Sequence, residues 1–236
     1  MSNDNFQGFS PETGEFLWEL AFNNERPWFL AHKDEFERVL NTPFKALARD
    51  TQALLAARYP RFDGRLHVAR IYRDARRLHG RGPYKDHLWF SIKGDDGLLE
   101  GPMFWFELGA ADYSYGMGFY SATSAQMEAF RQSIDANPAR FTRLAKAVER
   151  MEGFAISGEE YKRPKGDRGE LLNKWYNRRR IGVDCVRDYD AALYSPDLPA
   201  RLVDAFSQLM PLYKYLVGIY TCAEARPSGR RDATEE

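Results

Sequence analysis

Between residues 66 and 120, apolar residues recur at every second position in four consecutive stretches. This period of two is typical of β-strands, in which successive side chains point to opposite faces of a sheet. The connections carry turn-forming residues and are too short for the crossovers that parallel strands require, so the pattern predicts an antiparallel meander. The predicted strands cover residues 66–73, 86–92, 103–108 and 113–120.

Apolar residues spaced three and four apart replace this alternation on both sides of the strands. One more strand, over residues 181–186, is predicted to join the sheet late, and Pro211 should kink or split the last helix. Capping residues and prolines mark the predicted helix starts at Ser10-Pro11, Thr42-Pro43, Thr123, Asn137-Pro138 and Ser195-Pro196.

Runs of helix, strand and helix follow one another and do not alternate as a doubly wound fold requires. The sequence therefore predicts an α+β fold in which an antiparallel β-sheet meander has helices packed mainly on one face. Repeats, low-complexity linkers and breaks in composition are absent. We expect a single domain over residues 1–225 and a polar, disordered tail over residues 226–236.

Charge and cysteine content restrict the function classes. Lys plus Arg equals Asp plus Glu, 34 each, so net charge gives no support to general binding of nucleic acid or membrane surfaces. No apolar run approaches the ~20 residues of a membrane span, and the N-terminus has no secretory signal. Cys185 and Cys222 lack a paired spacing, so we predict free, non-catalytic thiols and a cytoplasmic protein.

No motif has a spacing that names a reaction. The four histidines lack metal-ligand spacing, so neither a metal nor a cofactor is predicted. Asp95, Asp96 and Glu100 are better explained as a solvated hairpin tip than as an acid–base pair. Gly116 and Gly118 leave one face of their strand bare, which indicates either a bulge or a close approach by another group.

The segment over residues 70–87 concentrates cations around one carboxylate and is too polar for a core. Guanidinium groups bind phosphate or carboxylate in a bidentate manner, and lysine supplies a point charge. We therefore hypothesise a pocket for a small anionic ligand, with or without turnover. Its residues would be Arg70, Arg73, Arg76, Tyr84 and Lys85, with Asp74 orienting the arginines and Arg26 and Lys165 closing the pocket.

Other interpretations of the same segment stay open. Asp74 and Tyr84 would be the acid–base candidates if there is turnover, since no residue is an obvious nucleophile. The arginines could instead form a purely structural network, or a basic loop for an acidic protein partner. Nucleotide or nucleic-acid binding would use the arginines for phosphate and stack bases on Trp28, Trp89, Tyr72 or Tyr84.

At these residues the chain resembles DUF2461, a widespread bacterial family, also found in fungi, that is catalogued as a domain of unknown function. Its members share Arg-x-x-Arg-Asp-x-Arg-Phe followed by Lys-x-Pro-Tyr-Lys. The resemblance extends over nearly the whole chain. The matching segments are Phe6-Gln7-Gly8-Phe9, Asn23-Asn24-x-Arg26-x-Trp28-Phe29, Arg70-x-x-Arg73-Asp74-x-Arg76, Pro83-Tyr84-Lys85 and Arg163-Pro164-Lys165-Gly166.

The chain departs from the family pattern at three places. Arg77 stands where the family has phenylalanine, and Arg81-Gly82 stands where it has lysine and a hydroxyl residue. A His-Pro pair expected soon after Gly166 is replaced by residues 167–169, which argues against a role for such a histidine. The family has no established activity, so the resemblance implies a map of a site without a reaction, and it leaves the oligomeric state open.

Overall fold

The structure is a computed structural model that describes residues 5–74, 76, 78, 80–95 and 101–224. Its helices are α1 (Pro11–Phe22), α2 (Arg26–Ala31), α3 (Lys33–Phe36), α4 (Thr42–Arg58), α5 (Ser124–Ala136), α6 (Pro138–Glu149), α7 (Glu170–Tyr176) and α8 (Leu198–Glu224). Its strands are β1 (Gly64–Val68), β2 (Leu88–Gly94), β3 (Met103–Leu108), β4 (Asp112–Gly118), β5 (Phe154–Ser157) and β6 (Gly182–Asp188).

Within the described residues the strands form one antiparallel sheet with the order β1-β2-β3-β4-β6-β5. The predicted α+β fold and the meander from β1 to β4 are confirmed. The late strand β6 joins the sheet, as the sequence indicated, and the structure shows that it pairs with β4. Strand β5 was not predicted. It adds to the edge beyond β6.

Helices α4 and α8 cover one face of the sheet, which we call the inner face. Phe44 of α4 lies 5.8 Å from Phe90 and 6.0 Å from Phe106, ring centre to ring centre. Phe104 stacks on the rings of Phe206 and Tyr213 of α8, each at 5.0 Å. The buried apolar side chains form one continuous cluster that reaches from Phe6 to Tyr220.

Most helix starts follow the local sequence signals, but α8 begins at Leu198, two residues after the predicted Pro196, and the start of α4 is modified. Gln126 N donates to Thr123 Oγ1 at 3.1 Å and Thr123 N to Gln126 Oε1 at 2.9 Å, so the predicted capping box begins α5. Helix α4 begins at Thr42 without a break in the chain path. A π-helical turn, Glu37–Asn41, leads into it, because Pro43 has no N–H and its ring needs the wider turn.

Pro211 does not split the last helix, which was one of the two predicted outcomes. Helix α8 runs unbroken from Leu198 to Glu224. The residues on both sides of Pro211 in this helix are buried against the rest of the protein, namely Leu209, Met210, Leu212 and Tyr213. This packing on both sides of the proline outweighs the loss of one backbone hydrogen bond.

The first strand is shorter than the predicted range of residues 66–73. Strand β1 ends at Val68, and the chain then forms a separate small hairpin in which Tyr72 bridges Tyr84. Arg73 N donates to Pro83 O and Lys85 N to Ile71 O, each at 2.8 Å. Pro83 offers no N–H of its own, so the ladder cannot extend there and the hairpin stays short.

Some predictions fall outside the described residues, namely the tail 226–236 and the hairpin tip over residues 96–100. Cys185 is a free, buried thiol, as predicted. The backbone of Cys222 lies in α8, and its side chain is outside the described part. Across the described ranges, no helix combines the length and the apolar character needed to cross a membrane.

Candidate functional site

The outer face of the sheet, opposite the inner face, carries a cavity of about 490 Å³. Its lining comes from alternate positions of β2, β3, β4 and β6, whose other positions point into the core. Arg73 and Lys85 of the small hairpin, His87 next to it and the segment after β4 add side walls. The inner face of the sheet therefore carries buried core side chains, and the outer face presents a concave surface of mixed polarity.

Glycines leave part of the cavity floor without side chains. Gly118 of β4 pairs with Gly182 of β6, and Gly116 pairs with Asp184. A Cβ at Gly118 would lie 2.6 Å from the Gly182 Cα and 2.6 Å from the Ile181 carbonyl oxygen, so no side chain fits. The ladder is continuous through both glycines, which makes close strand approach, and not a bulge, the reason for the bare face.

Two tryptophans border this bare strip. Trp89 of β2 and Trp105 of β3 are partly exposed and line the cavity. Trp105 pairs with Gly116 of β4, so no cross-strand side chain lies directly opposite it on that side. Tyr120 is 77% exposed at the rim. These rings provide flat, apolar contact area with polar edges.

Arg73, Lys85 and His87 form the basic wall of the cavity. Arg73 Nε donates to the Tyr84 carbonyl oxygen at 2.6 Å, and its Nη2 lies 3.3 Å from Asp86 Oδ1. The Arg73 side chain is only 15% exposed, so its direction is well defined. Lys85 Nζ donates to the Arg70 carbonyl oxygen at 2.8 Å.

The two neighbouring cations influence each other. Burial lowers the pKa of Lys85 below its ordinary value, and the positive charge of Arg73 lowers it further. Among the described residues Lys85 has no carboxylate within ion-pair distance. Within the described part of the chain, this pair is thus a local concentration of positive charge with a carboxylate partner at Arg73 only.

Asp86 connects the basic wall internally. Its Oδ1 lies 2.9 Å from His87 Nδ1. Burial by itself raises the pKa of Asp86, but the hydrogen bond with His87 and the charges of His87 and Arg73 outweigh burial and lower the pKa below its usual range. Asp86 therefore stays ionised and orients both basic side chains.

The lining also contains carboxylates. Glu107 lies on β3 and Asp184 on β6. Burial raises the pKa of Asp184, and a hydrogen bond with Ser157 and the charges of Arg180 and Arg178 partly oppose that rise. Arg180 also lines the cavity, where its Nη1 donates to the Phe119 carbonyl oxygen at 3.1 Å.

The structure brings together only some of the side chains that the sequence grouped into one pocket. Arg73 and Lys85 line the cavity, while Tyr84 is 2% exposed and stacks on Phe29 at 4.1 Å. Asp74 binds Arg76 on the surface, with Oδ2 and Nη2 2.9 Å apart.

The backbone of Tyr84 is held by the side chain of Asn24, which belongs to another of the segments that resemble the family pattern. Asn24 Oδ1 accepts from Tyr84 N at 2.9 Å, and Asn24 Nδ2 donates to Tyr84 O at 3.0 Å. We call this pair of hydrogen bonds the Asn24 clamp. Burial raises the pKa of the Tyr84 hydroxyl, with a smaller contribution from Tyr72, and the charge of Arg26 opposes this. Arg26 thus lies near Tyr84 at the start of α2, while Arg70 is exposed and contributes its carbonyl.

Lys165 belongs to a different part of the surface. Its Nζ lies 4.6 Å from the centre of the Tyr161 ring, which Arg131 and Arg179 also approach, each at 5.7 Å. The loop is fixed by Asn177 Oδ1, which accepts from Lys165 N at 2.7 Å. A cation that the sequence assigned to the pocket instead stabilises its own loop through a tyrosine ring.

Sequence reasoning missed Trp105, Glu107, Asp184 and Arg180 as cavity residues. Polar and aromatic residues at alternate positions of β3 were the available signal, because Trp105 and Glu107 share the parity that points away from the core. Within the described ranges, no three His, Cys, Asp or Glu side chains gather as ligands for a metal ion would. Chemically, the cavity offers cationic donors, carboxylate acceptors and flat apolar surface.

Comparison with known proteins adds a family but no activity. No curated protein matches the chain. The model of one family, described as a conserved hypothetical protein (DUF2461), matches residues 12–215. That match includes α1 except its first residue, the whole of α2 to α7, every strand of the sheet and most of α8. Because the match spans most of the chain's 236 residues, the chain belongs to the DUF2461 family.

Proposed function

We propose that this protein binds a small anionic ligand in the cavity on the outer face of the sheet. A phosphate or carboxylate group would lie against Arg73 and Lys85. The observation that carries this proposal is the pair itself: two cations are held side by side at a cavity wall, and Lys85 has no ion-pair partner among the described residues. An anion there would supply the compensating charge.

The size and surface of the cavity suit a small molecule. Its volume of about 490 Å³ falls within the ~300–1,000 Å³ range of typical ligand pockets. Trp89 and Trp105 offer rings against which a flat or apolar body would pack. The ligand class supported best is therefore a compact anion with a flat portion.

The proposal is for binding and includes no reaction. Tyr84, one of the two acid–base candidates, is buried against Phe29, and burial raises the pKa of its hydroxyl. Asp74, the other candidate, forms an exposed pair with Arg76. Neither the Tyr84 side chain nor the Asp74 side chain lines the cavity.

Extended nucleic acid is supported less well than a single small ligand. Of the four suggested stacking rings, only Trp89 lines the cavity. Trp28 already stacks on His32, with ring centres 4.1 Å apart. A salt titration separates the two cases, because affinity for a single strand falls with a slope of about 0.7 per phosphate contact.

The test is a thermal-shift screen of the purified protein with inorganic phosphate, phosphorylated metabolites, nucleotides and dicarboxylates. At least one compound should raise the melting temperature in proportion to the logarithm of its concentration. Lys85→Gln should abolish that rise, whereas Lys146→Gln, which removes an exposed lysine on α6, should retain it. An unchanged rise in Lys85→Gln, or no rise with any compound, would contradict the proposal.

A further inference from the structure

We infer that the ligand of this cavity carries an amino group in addition to its anionic group. This inference rests on the function proposed above and specifies the class of ligand. It comes from the two carboxylates of the lining, Glu107 and Asp184, to which a ligand with only an anionic group would offer no hydrogen-bond donor.

Glu107 is the more informative of the two. It lies in the middle of the outer face on β3, paired with Trp89 on one side and Ser114 on the other. It is partly buried, and within the described part of the chain it forms neither a hydrogen bond nor an ion pair. A carboxylate in partial burial without donors is costly, so an unpaired one at a cavity wall is an acceptor available for a ligand.

Asp184 places a second acceptor on β6, next to the glycine strip. It interacts with Ser157, and the guanidinium groups of Arg180 and Arg178 exert a favourable field on it. Neither Asp184 nor Glu107 comes within 4.0 Å of a cationic side chain among the described residues. The carboxylates are therefore not there to neutralise the basic wall by direct pairing.

Cations and carboxylates thus line one cavity, and among the described residues Lys85, Glu107 and Asp184 form no direct ion pair. Arg73 and Lys85 of the basic wall lie on the hairpin, and the two carboxylate acceptors lie on the sheet itself. An anion without donors would gain at the basic wall and be repelled by Glu107 and Asp184. A ligand with an anionic end and an amino group complements both parts, and the tryptophan rings would hold the body between them.

The amino group could be an aliphatic ammonium, as in an amino acid, or an exocyclic amine on a ring, as in some nucleotides. Both donate hydrogen bonds to carboxylates, and matched probes distinguish them. The first pair is AMP and IMP, which differ at the purine amino group. The second pair is phenylalanine and 3-phenylpropionate, which differ by the ammonium group. Inorganic phosphate serves as the anion without a body.

Calorimetric titration of the native protein should show one amino-bearing member bound at least about tenfold more tightly than its matched partner, because a hydrogen bond to a charged group contributes about that much. Glu107→Gln should reverse this preference for the amino-bearing probe. The amino-bearing probe should lose affinity about tenfold, and its partner without the amino group should gain affinity because the repelling charge is gone.

The control is Glu152→Gln, which removes an exposed glutamate between α6 and β5 and should leave both affinities unchanged. Asp184→Asn gives a second, shape-matched readout of the same preference. Effects of Glu107→Gln in the same direction for both members of a pair would indicate a merely structural role and overturn the inference.

The failures of the two proposals are distinguishable. Equal affinity for both members of each pair, with binding lost in Lys85→Gln, would overturn the amino-group inference and leave the proposed function intact. Absence of binding by all four probes and by phosphate, combined with a negative thermal-shift screen, would overturn both.

Discussion

The inner and outer faces of the sheet are made by the same strands and differ only in the parity of their residues. On β3, Phe104, Phe106 and Leu108 are fully buried, while Trp105 and Glu107 remain partly exposed. The inner face carries rings packed against α4 and α8, and the outer face carries charges, tryptophans and glycines. Core packing and the cavity lining are therefore encoded at alternate positions, so substitutions one residue apart should have different consequences.

The largest expected effect is on the inner face. Phe106→Ala removes a ring that contacts Phe44, Phe90 and Tyr113, and it should lower the free energy of unfolding by about 3–5 kcal/mol. Trp105→Ala, one position away, should cost clearly less, since its ring is partly exposed. Urea denaturation of both variants measures the difference. Equal losses would remove the distinction between the faces.

A smaller effect is expected at the glycine strip, where the outer face itself depends on packing. Gly118→Ala places a Cβ 2.6 Å from the backbone of the neighbouring strand, so it should cost about 1–3 kcal/mol by urea denaturation. Gly109→Ala is the control, because its Cβ would lie at 3.4 Å from Asp112, an ordinary contact. A neutral Gly118→Ala would show that β4 and β6 separate easily.

Ionisation of Asp184, on the outer face, should make the free energy of unfolding of the protein depend on pH. Its pKa in the folded protein is raised above the ordinary 3.8, so the folded state binds a proton more readily than the unfolded state. Between these two pKa values stability falls as pH rises, and above them the cost is constant. Asp184→Asn should therefore match the native protein at low pH and be more stable near pH 7.

Thermal unfolding of the native protein and of Asp184→Asn across the acid range measures this effect. Other carboxylates titrate equally in both proteins, so the difference between the two curves isolates Asp184. A variant that is less stable near neutral pH would show that the Ser157 hydrogen bond and the arginine charges outweigh burial.

The smallest effect is expected outside both faces. The Arg76 side chain is 89% exposed and pairs with Asp74, whose side chain is 37% exposed. Solvent screening makes such pairs weak, so Arg76→Gln should leave the melting temperature unchanged within experimental error. A clear loss would mean that the exposed end of the hairpin carries more of the structure than its burial indicates.

Local patterns predicted the elements better than they predicted the site. Alternation identified β2, β3, β4 and β6, and capping residues identified the start of α5. Strand β5 has only four residues, too few for its alternation to stand out from a loop. The position of Lys165 depends on contacts with Tyr161 and Asn177, and the burial of Tyr84 depends on Phe29, which no local pattern reveals.

The Asn24 clamp has a consequence for the order in which the protein folds. It joins residues 60 positions apart, whereas the β2–β3 and β3–β4 pairings connect neighbouring segments. Closing so long a loop costs entropy that only other docked elements can offset, so such contacts form late. The amides of Arg73 and Lys85 should consequently exchange with solvent faster than those of β3. The basic wall would be assembled last during folding and released first during local unfolding.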